Sequence, residues 1–234
     1  MDTTKKSVRK GPRRSGRPLS FDRDAALHQA MLLFWRHGYE GTSLNALTTA
    51  LGVTPPSIYA AFGDKKRLFQ EVVRLYSAEG TVSERIIDGA ATARAAAEEL
   101  LFTAARGFTG VDTPPGCLMA SAAITGSAES SDVQAELAAT RRDIEAHLRQ
   151  RLATAVADGE LPASADPAAL AGLVMALIQG MSTLARDGAT RDHLFAVVKA
   201  ALAALPVCPQ SRSPGRHGHL ADPPFIDGKA AARE

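Results

Sequence analysis

From residue 22 to residue 76 apolar side chains return every three or four positions in four successive blocks, each bounded by residues that cap or break a helix. In the first, Ala26, Leu27, Ala30, Met31, Phe34 and Trp35 follow Asp22 or Asp24, either of which suits an N-cap, and Gly38 stands where a left-handed C-terminal cap belongs. The pattern predicts a helix of about four turns. Gly41-Thr42-Ser43 comes next, with Thr42 as the expected N-cap of a short second helix carrying Leu44, Leu47 and Leu51 and closed by Gly52. A third short helix begins almost at once, with Thr54 as N-cap, Pro55 and Pro56 in the first turn, and Ile58 and Phe62 four apart on one side. Gly63 breaks it, Asp64 caps a fourth helix, and Leu68, Phe69, Val72, Val73 and Tyr76 form that helix's apolar stripe. Two short helices joined by a tight glycine-containing turn make a helix-turn-helix, here from Ser43 to Phe62.

Past residue 80 the punctuation is weaker. Helices are expected over 91–109, 117–128, 131–158, 167–187 and 190–204, separated by the breakers Gly110 to Gly116, Gly126 to Ser131, Gly159 to Pro162 and Gly188. The resulting expectation is an all-α fold: a basic arm without periodic order over 1–20, a helix-turn-helix domain over 21–80, a second helical domain over 81–205, and a Pro/Gly-rich tail over 206–234.

Composition sharpens that picture only when it is resolved along the chain. The 234 residues are 45% hydrophobic and 22% charged, ordinary for a globular protein large enough to bury a core without metals or disulfides. The formal net charge of +2 conceals a division: 13 basic against 6 acidic residues over 1–78, 10 against 16 over 79–205, and 4 against 3 in the tail. A head at +7 therefore stands on a body at −6. With two cysteines, no apolar leader after the basic N-terminus, and no uninterrupted apolar run of eighteen residues, the sequence predicts a cytoplasmic protein with neither disulfide framework nor membrane span.

A helix-turn-helix reads duplex DNA because an α-helix fits the major groove, where donor and acceptor patterns distinguish all four base pairs. The third helix is the expected reader. Thr54, Pro55, Pro56 and Ser57 would point at base edges or phosphates, Tyr59 would offer its hydroxyl to a phosphate, and Ile58 and Phe62 would face back into the domain. Lys65 would set an ammonium at a helix N-terminus, both favourable to phosphate, and Thr42 and Ser43 would open the second helix in the same geometry without charge. In the arm, Arg13, Arg14 and Arg17 precede the motif, where such segments enter the adjacent minor groove or remain a solvated tail.

At these residues the sequence resembles the N-terminal DNA-binding domain of the TetR family of bacterial transcriptional regulators. The signature runs through Gly38-Tyr39, Gly41-Thr42-Ser43-Leu44, Leu51-Gly52-Val53, Ser57-Ile58-Tyr59 and Phe62-Gly63-Asp64-Lys65-Lys66-Arg67-Leu68-Phe69. The resemblance implies an all-helical homodimer with a variable C-terminal effector domain, acting as a repressor released from a palindromic operator by a signal. Pro55-Pro56 and Ala60-Ala61 occupy positions where members vary, so an operator sequence does not transfer.

In the body, the segment 167–187 is apolar almost all round and is followed by a second apolar helix, a pattern suited to a four-helix isologous dimer interface. Leu173, Ala176, Leu177, Gly180, Leu184, Leu194 and Val198 are the expected contacts. Phe102, Phe108 and Met119 are candidate walls of an effector pocket or parts of a filled core. Cys117, after Thr113-Pro114-Pro115-Gly116, is expected in the first turn of a helix, where backbone N–H groups favour a thiolate; it is a candidate redox or electrophile sensor, or a small buried apolar residue. Asp143, Glu145 and His147 read as a solvated face, and Cys208, His217 and His219 in the tail lack metal-site spacing. No phosphate loop, dinucleotide fingerprint, zinc-protease motif or nucleophile elbow is present, so the sequence predicts a regulator with no cofactor or metal rather than an enzyme. An architectural DNA binder without effector is the alternative within the binding class.

Overall fold

The computed structural model describes residues 21–78, 81–121 and 130–204, and among these every regular element is a helix. The head comprises α1 (Arg23–Gly41), α2 (Leu44–Leu51), α3 (Pro55–Phe62) and α4 (Lys65–Ala78). The body comprises α5 (Thr81–Gly89), α6 (Ala93–Phe108), α7 (Leu118–Ser121), α8 (Ser131–Ala157), α9 (Pro167–Arg186) and α10 (Arg191–Ala204). Helix α5 has no counterpart in the sequence expectation, because its Val82, Ile86 and Ile87 offer too few apolar positions to stand out before it packs on α6 and α8. The expected tail over 206–234, with Cys208, His217 and His219, and the arm over 1–20, with Arg17, lie outside the described residues.

Local chemistry explains the starts and stops. Asp22 caps α1 by accepting from the Asp24 and Ala25 N–H groups, and Asp166 does the same for α9 at Ala168 and Ala169. Gly38, at φ 74, interrupts α1 near its end. Gly52, at φ 63, ends α2 in the left-handed conformation that a side chain would strain, which lets α3 begin three residues later.

Two apolar clusters hold the fold. One lies within the body, built on Leu101, Ala105 and Phe108 of α6, Leu148 and Leu152 of α8, Val174 and Met181 of α9, and Leu194 and Val198 of α10. The other fills the head around Phe34, which meets Phe69 edge-to-face at 5.0 Å and stacks on Tyr39 at 6.2 Å. This second cluster is not confined to the head. Leu118 and Met119 of α7 and Val133 and Leu137 of α8 complete it, so the boundary expected near residue 80 divides the chain but not the packing.

Several expectations for the body change here. Leu194 and Val198 are fully buried in their own subunit, at 0% and 1% exposure, because α10 turns its apolar stripe onto α6 and α9; neither is available to a second copy. Phe108 and Met119 are buried in the two different clusters, and Phe102 lies edge-to-face on Phe195 at 5.1 Å, so the three share no cavity. Helix α9, 20 residues long, contains an 18-residue stretch with a mean hydropathy of 1.7, long and apolar enough to cross a membrane by length and composition alone. Its inner side packs on α6, α8 and α10, while Leu173 and Leu184 remain exposed on its outer side.

Candidate nucleic-acid interface

Helix α3 divides its residues cleanly. Ile58 and Phe62 are buried in the head core, while Thr54, Pro55, Pro56, Tyr59 and Ala60 are exposed and Ser57 is partly so. Pro55 and Pro56 occupy the first turn, where a missing N–H costs nothing, and their fixed φ stiffens the end presented to solvent. Thr54 holds the N-cap position without capping: its hydroxyl pairs with Ser57 Oγ at 3.0 Å instead. Two hydroxyls are therefore held side by side on the outer turn, and both retain capacity for another partner.

The flanks of α3 carry the phosphate-type groups. Ser43 is the N-cap of α2, its Oγ accepting from Ala46 N–H at 3.0 Å. Thr42, expected in that role, is 1% exposed and donates its hydroxyl to the Gly38 carbonyl at 2.7 Å. It ties the end of α1 to the start of α2 and offers nothing to a ligand. Lys65 opens α4 with its ammonium 4.3 Å from the centre of the Tyr39 ring. Burial lowers the Lys65 pKa from the ordinary lysine value while the Glu40 carboxylate pulls it back up, and burial, then Glu40 and Asp64, raise that of Tyr39.

Arg23, which the sequence reading did not single out, braces the back of α3. Its guanidinium lies 4.6 Å from the Phe62 ring centre, donates to the Ala61 carbonyl at 3.4 Å, and grips Glu71 of α4 at 2.8 and 2.6 Å. Beside it runs an open groove of about 530 Å³ lined by α3 and α4, with Arg67 and Arg74 exposed along it. No periodicity marks an arginine of this kind, since its partners are 38 and 48 residues away.

Cys117 lies where the two clusters meet and packs against both. It precedes α7 rather than opening its first turn. Its Sγ accepts from the Tyr76 hydroxyl of α4 at 3.4 Å, and its backbone N–H donates to the buried Ser182 Oγ of α9 at 2.8 Å. The thiol thus joins a head helix to a body loop. His147 of α8 pairs with Asp88 of α5 at 2.7 Å, and no group of three metal-ligating side chains occurs among the described residues.

Comparison with known proteins gives this arrangement a setting. Residues 26–72 match the family model described as bacterial regulatory proteins, tetR family, and residues 98–201 match the tetracyclin repressor-like C-terminal domain. The HTH-type transcriptional repressor ComR of Escherichia coli K12 is 37% identical over 199 residues, spanning 82% of this chain and 92% of that protein. Among solved structures, the regulator CifR, as a cysteine mutant complexed with 26-base-pair operator DNA, is 43% identical with a TM-score of 0.77, covering 82% of this chain and all of that one. A regulator from Rhodococcus sp. RHA1 is 39% identical with a TM-score of 0.56, covering 79% and 99%.

Proposed function

The chain belongs to the TetR family of bacterial transcriptional regulators, and from that premise we propose that it is a cytoplasmic homodimeric repressor that binds a palindromic operator through α3. The observation that carries this reading is the exposed outer turn of α3, with Thr54, Pro55, Pro56, Ser57 and Tyr59 between the Ser43 cap and the Lys65 ammonium. Phosphate contacts from Ser43, Lys65 and the basic arm with Arg17 position the head, while Thr54 and Ser57 supply the few base-directed hydrogen bonds and the prolines pack on thymine methyls. The acidic body is repelled from the duplex, which orients the docking. The chain acts by binding rather than by catalysis.

The outer side of α9 serves as the dimer face, through Leu173, Ala176, Leu177, Gly180 and Leu184. Titrating labelled DNA from upstream of the gene, with footprinting, tests the reading. A protected inverted repeat, lost with Ser57→Glu, is the expected result; uniform binding to any duplex would instead support an architectural binder.

Release is proposed to start at Cys117. A cavity within the body, lined by Ala93, Arg94, Ala97, Leu152, Leu161, Leu170 and Val174, measures about 20 Å³, room for little more than a water molecule. An organic effector has no space there, whereas a group added to Cys117 Sγ would wedge between Tyr76 and the body. Exposure to an alkylating electrophile should release the wild-type protein from its operator and leave Cys117→Ser bound. Equal release of both would move the signal to a non-covalent effector.

A further inference from the structure

Head and body are joined along two seams of different character. Along the first, α4 lies on α7 and α8: Lys66 pairs with Asp132, Gln70 donates to Glu136 at 3.1 Å, and Ser77 contacts Met119 Sδ at 3.7 Å. Lys66 and Asp132 are 41% and 53% exposed, so water and salt weaken that pair. The second seam links α1 to α9 through hydrogen bonds accepted by backbone carbonyls and two serine hydroxyls.

At that second seam Arg186, in the last turn of α9, spreads its guanidinium over three acceptors. Nη1 donates to the Trp35 carbonyl at 3.1 Å and to Ser121 Oγ at 3.0 Å, and Nη2 donates to the Arg36 carbonyl at 3.1 Å. Trp35 and Arg36 close the regular part of α1, just before Gly38 interrupts it. A cation at a helix C-terminus is favoured by the carbonyl dipoles there. Trp35 returns a bond to the same junction, its buried indole Nε1 donating to the Gly116 carbonyl at 3.0 Å. Gly116 has φ +82, and a Cβ there would stand 2.8 Å from the Ser182 carbonyl oxygen and 2.9 Å from Arg186 Cγ. One turn before Arg186, Ser182 Oγ accepts from Cys117 N–H at 2.8 Å. The ends of α1 and α9 and the 116–117 loop are thus fastened at one point.

We infer that Arg186 is a positioning residue that sets the spacing and angle between the two reading helices of the dimer. The inference rests on the dimeric-repressor reading above. Its physical basis is that α9 carries both the exposed apolar face, through Leu173 and Leu184, and the guanidinium that grips α1. The partner subunit fixes α9; Arg186 then fixes α1, and with it the head, relative to that axis. Half-sites are read about 34 Å apart, so a small rotation at the junction displaces both readers from register while leaving each head intact. Lysine cannot substitute, because one ammonium lacks the planar fork that reaches two carbonyls and a hydroxyl together.

The experiment compares wild type, Arg186→Lys and Gly116→Ala, as full chains, on three duplexes: the palindromic operator, the operator with its spacer altered by one base pair, and a single half-site. Wild type should prefer the native spacer. Both variants should lose about tenfold or more on the palindrome, the scale of one lost charge-assisted bond. Their half-site affinity should stay near wild type, and their discrimination between spacers should flatten. Variants that keep wild-type affinity and spacer preference overturn the inference, as does a proportionate loss on all three duplexes. If wild type itself shows no preference for palindrome over half-site, the dimeric-repressor reading falls and this inference with it.

Discussion

Lys65 lays its ammonium 4.3 Å from the centre of the Tyr39 ring, so the first residue of α4 is steered by a side chain from the end of α1. An exposed lysine samples many rotamers, and ordering it on DNA costs entropy that a pre-set position avoids. A cation over an aromatic face is worth about 0.5–1 kcal/mol at a site of this exposure. Tyr39→Leu should therefore weaken operator binding by about two- to fivefold through Lys65 alone. Tyr39→Phe, which keeps the ring, should bind as wild type. Lys65→Ala should cost more and reduce the log–log salt slope by about 0.9, the value of one phosphate contact. Fluorescence anisotropy across a salt series reads all three.

The same pair should give operator affinity a pH dependence. Burial holds the Lys65 pKa below the ordinary lysine value in free protein, and a DNA phosphate would raise it in the complex. Affinity is then complete below the free-protein pKa and declines as pH rises from that value toward the pKa in the complex. The decline should begin at a lower pH than the one at which ordinary lysines titrate. Lys65→Arg, which keeps its charge throughout, should flatten the curve; an unchanged alkaline decline in that variant would assign the effect to another group.

A stability prediction follows from the shared core. Leu137 belongs to α8 but is 1% exposed inside the cluster built around Phe34. If the head folded alone, truncating Leu137 would leave it untouched. Because Leu137, Leu118 and Met119 complete its packing, Leu137→Ala should destabilise the head by about 2–5 kcal/mol and Phe34→Ala by about 3–5. Fluorescence of Trp35, the one tryptophan, reports the head, and circular dichroism reports all helices. Their denaturation midpoints should coincide and shift together in both variants.

The parts of this protein legible in its sequence are those where local chemistry decides. Asp22 marks a helix start by its capping carboxylate and Gly38, Gly52 and the Pro55-Pro56 pair mark helix ends by backbone preference, and the apolar spacing places α6, α8, α9 and α10 within a few residues of 91–109, 131–158, 167–187 and 190–204. Distant partners decided the rest. Thr42 and Ser43 are adjacent and equally able to cap; Ser43 caps because Thr42 is claimed by the Gly38 carbonyl behind it. Arg23 and Arg186 carry no periodic signal, and their roles exist only once α3 and α1 are brought to them. Leu173 and Leu194 are both apolar residues on apolar helices, and only the packing of α10 against α6 and α9 separates the exposed one from the buried one.

That last contrast yields a test of the dimer face. Leu173 is 45% exposed and Leu184 36%, both on the outer side of α9, with Ala176 and Gly180 between them allowing close backbone approach. An isolated subunit would leave this apolar strip in water, and a stable interface buries roughly 1,200–2,000 Å² in total, more than one helix face alone supplies. Surface flanking the α9 strip must therefore contribute as well. A charge at Leu173 or Leu184 would meet its own symmetry copy or an apolar partner across the two-fold, and either way would be desolvated without compensation. Leu173→Glu with Leu184→Glu should thus give a monomer by light scattering at micromolar concentration while retaining helicity and a cooperative melt. Val198→Glu, at a site 1% exposed in the subunit's own core, should instead unfold the body. A dimer that survives the double exchange at Leu173 and Leu184 would place the interface elsewhere.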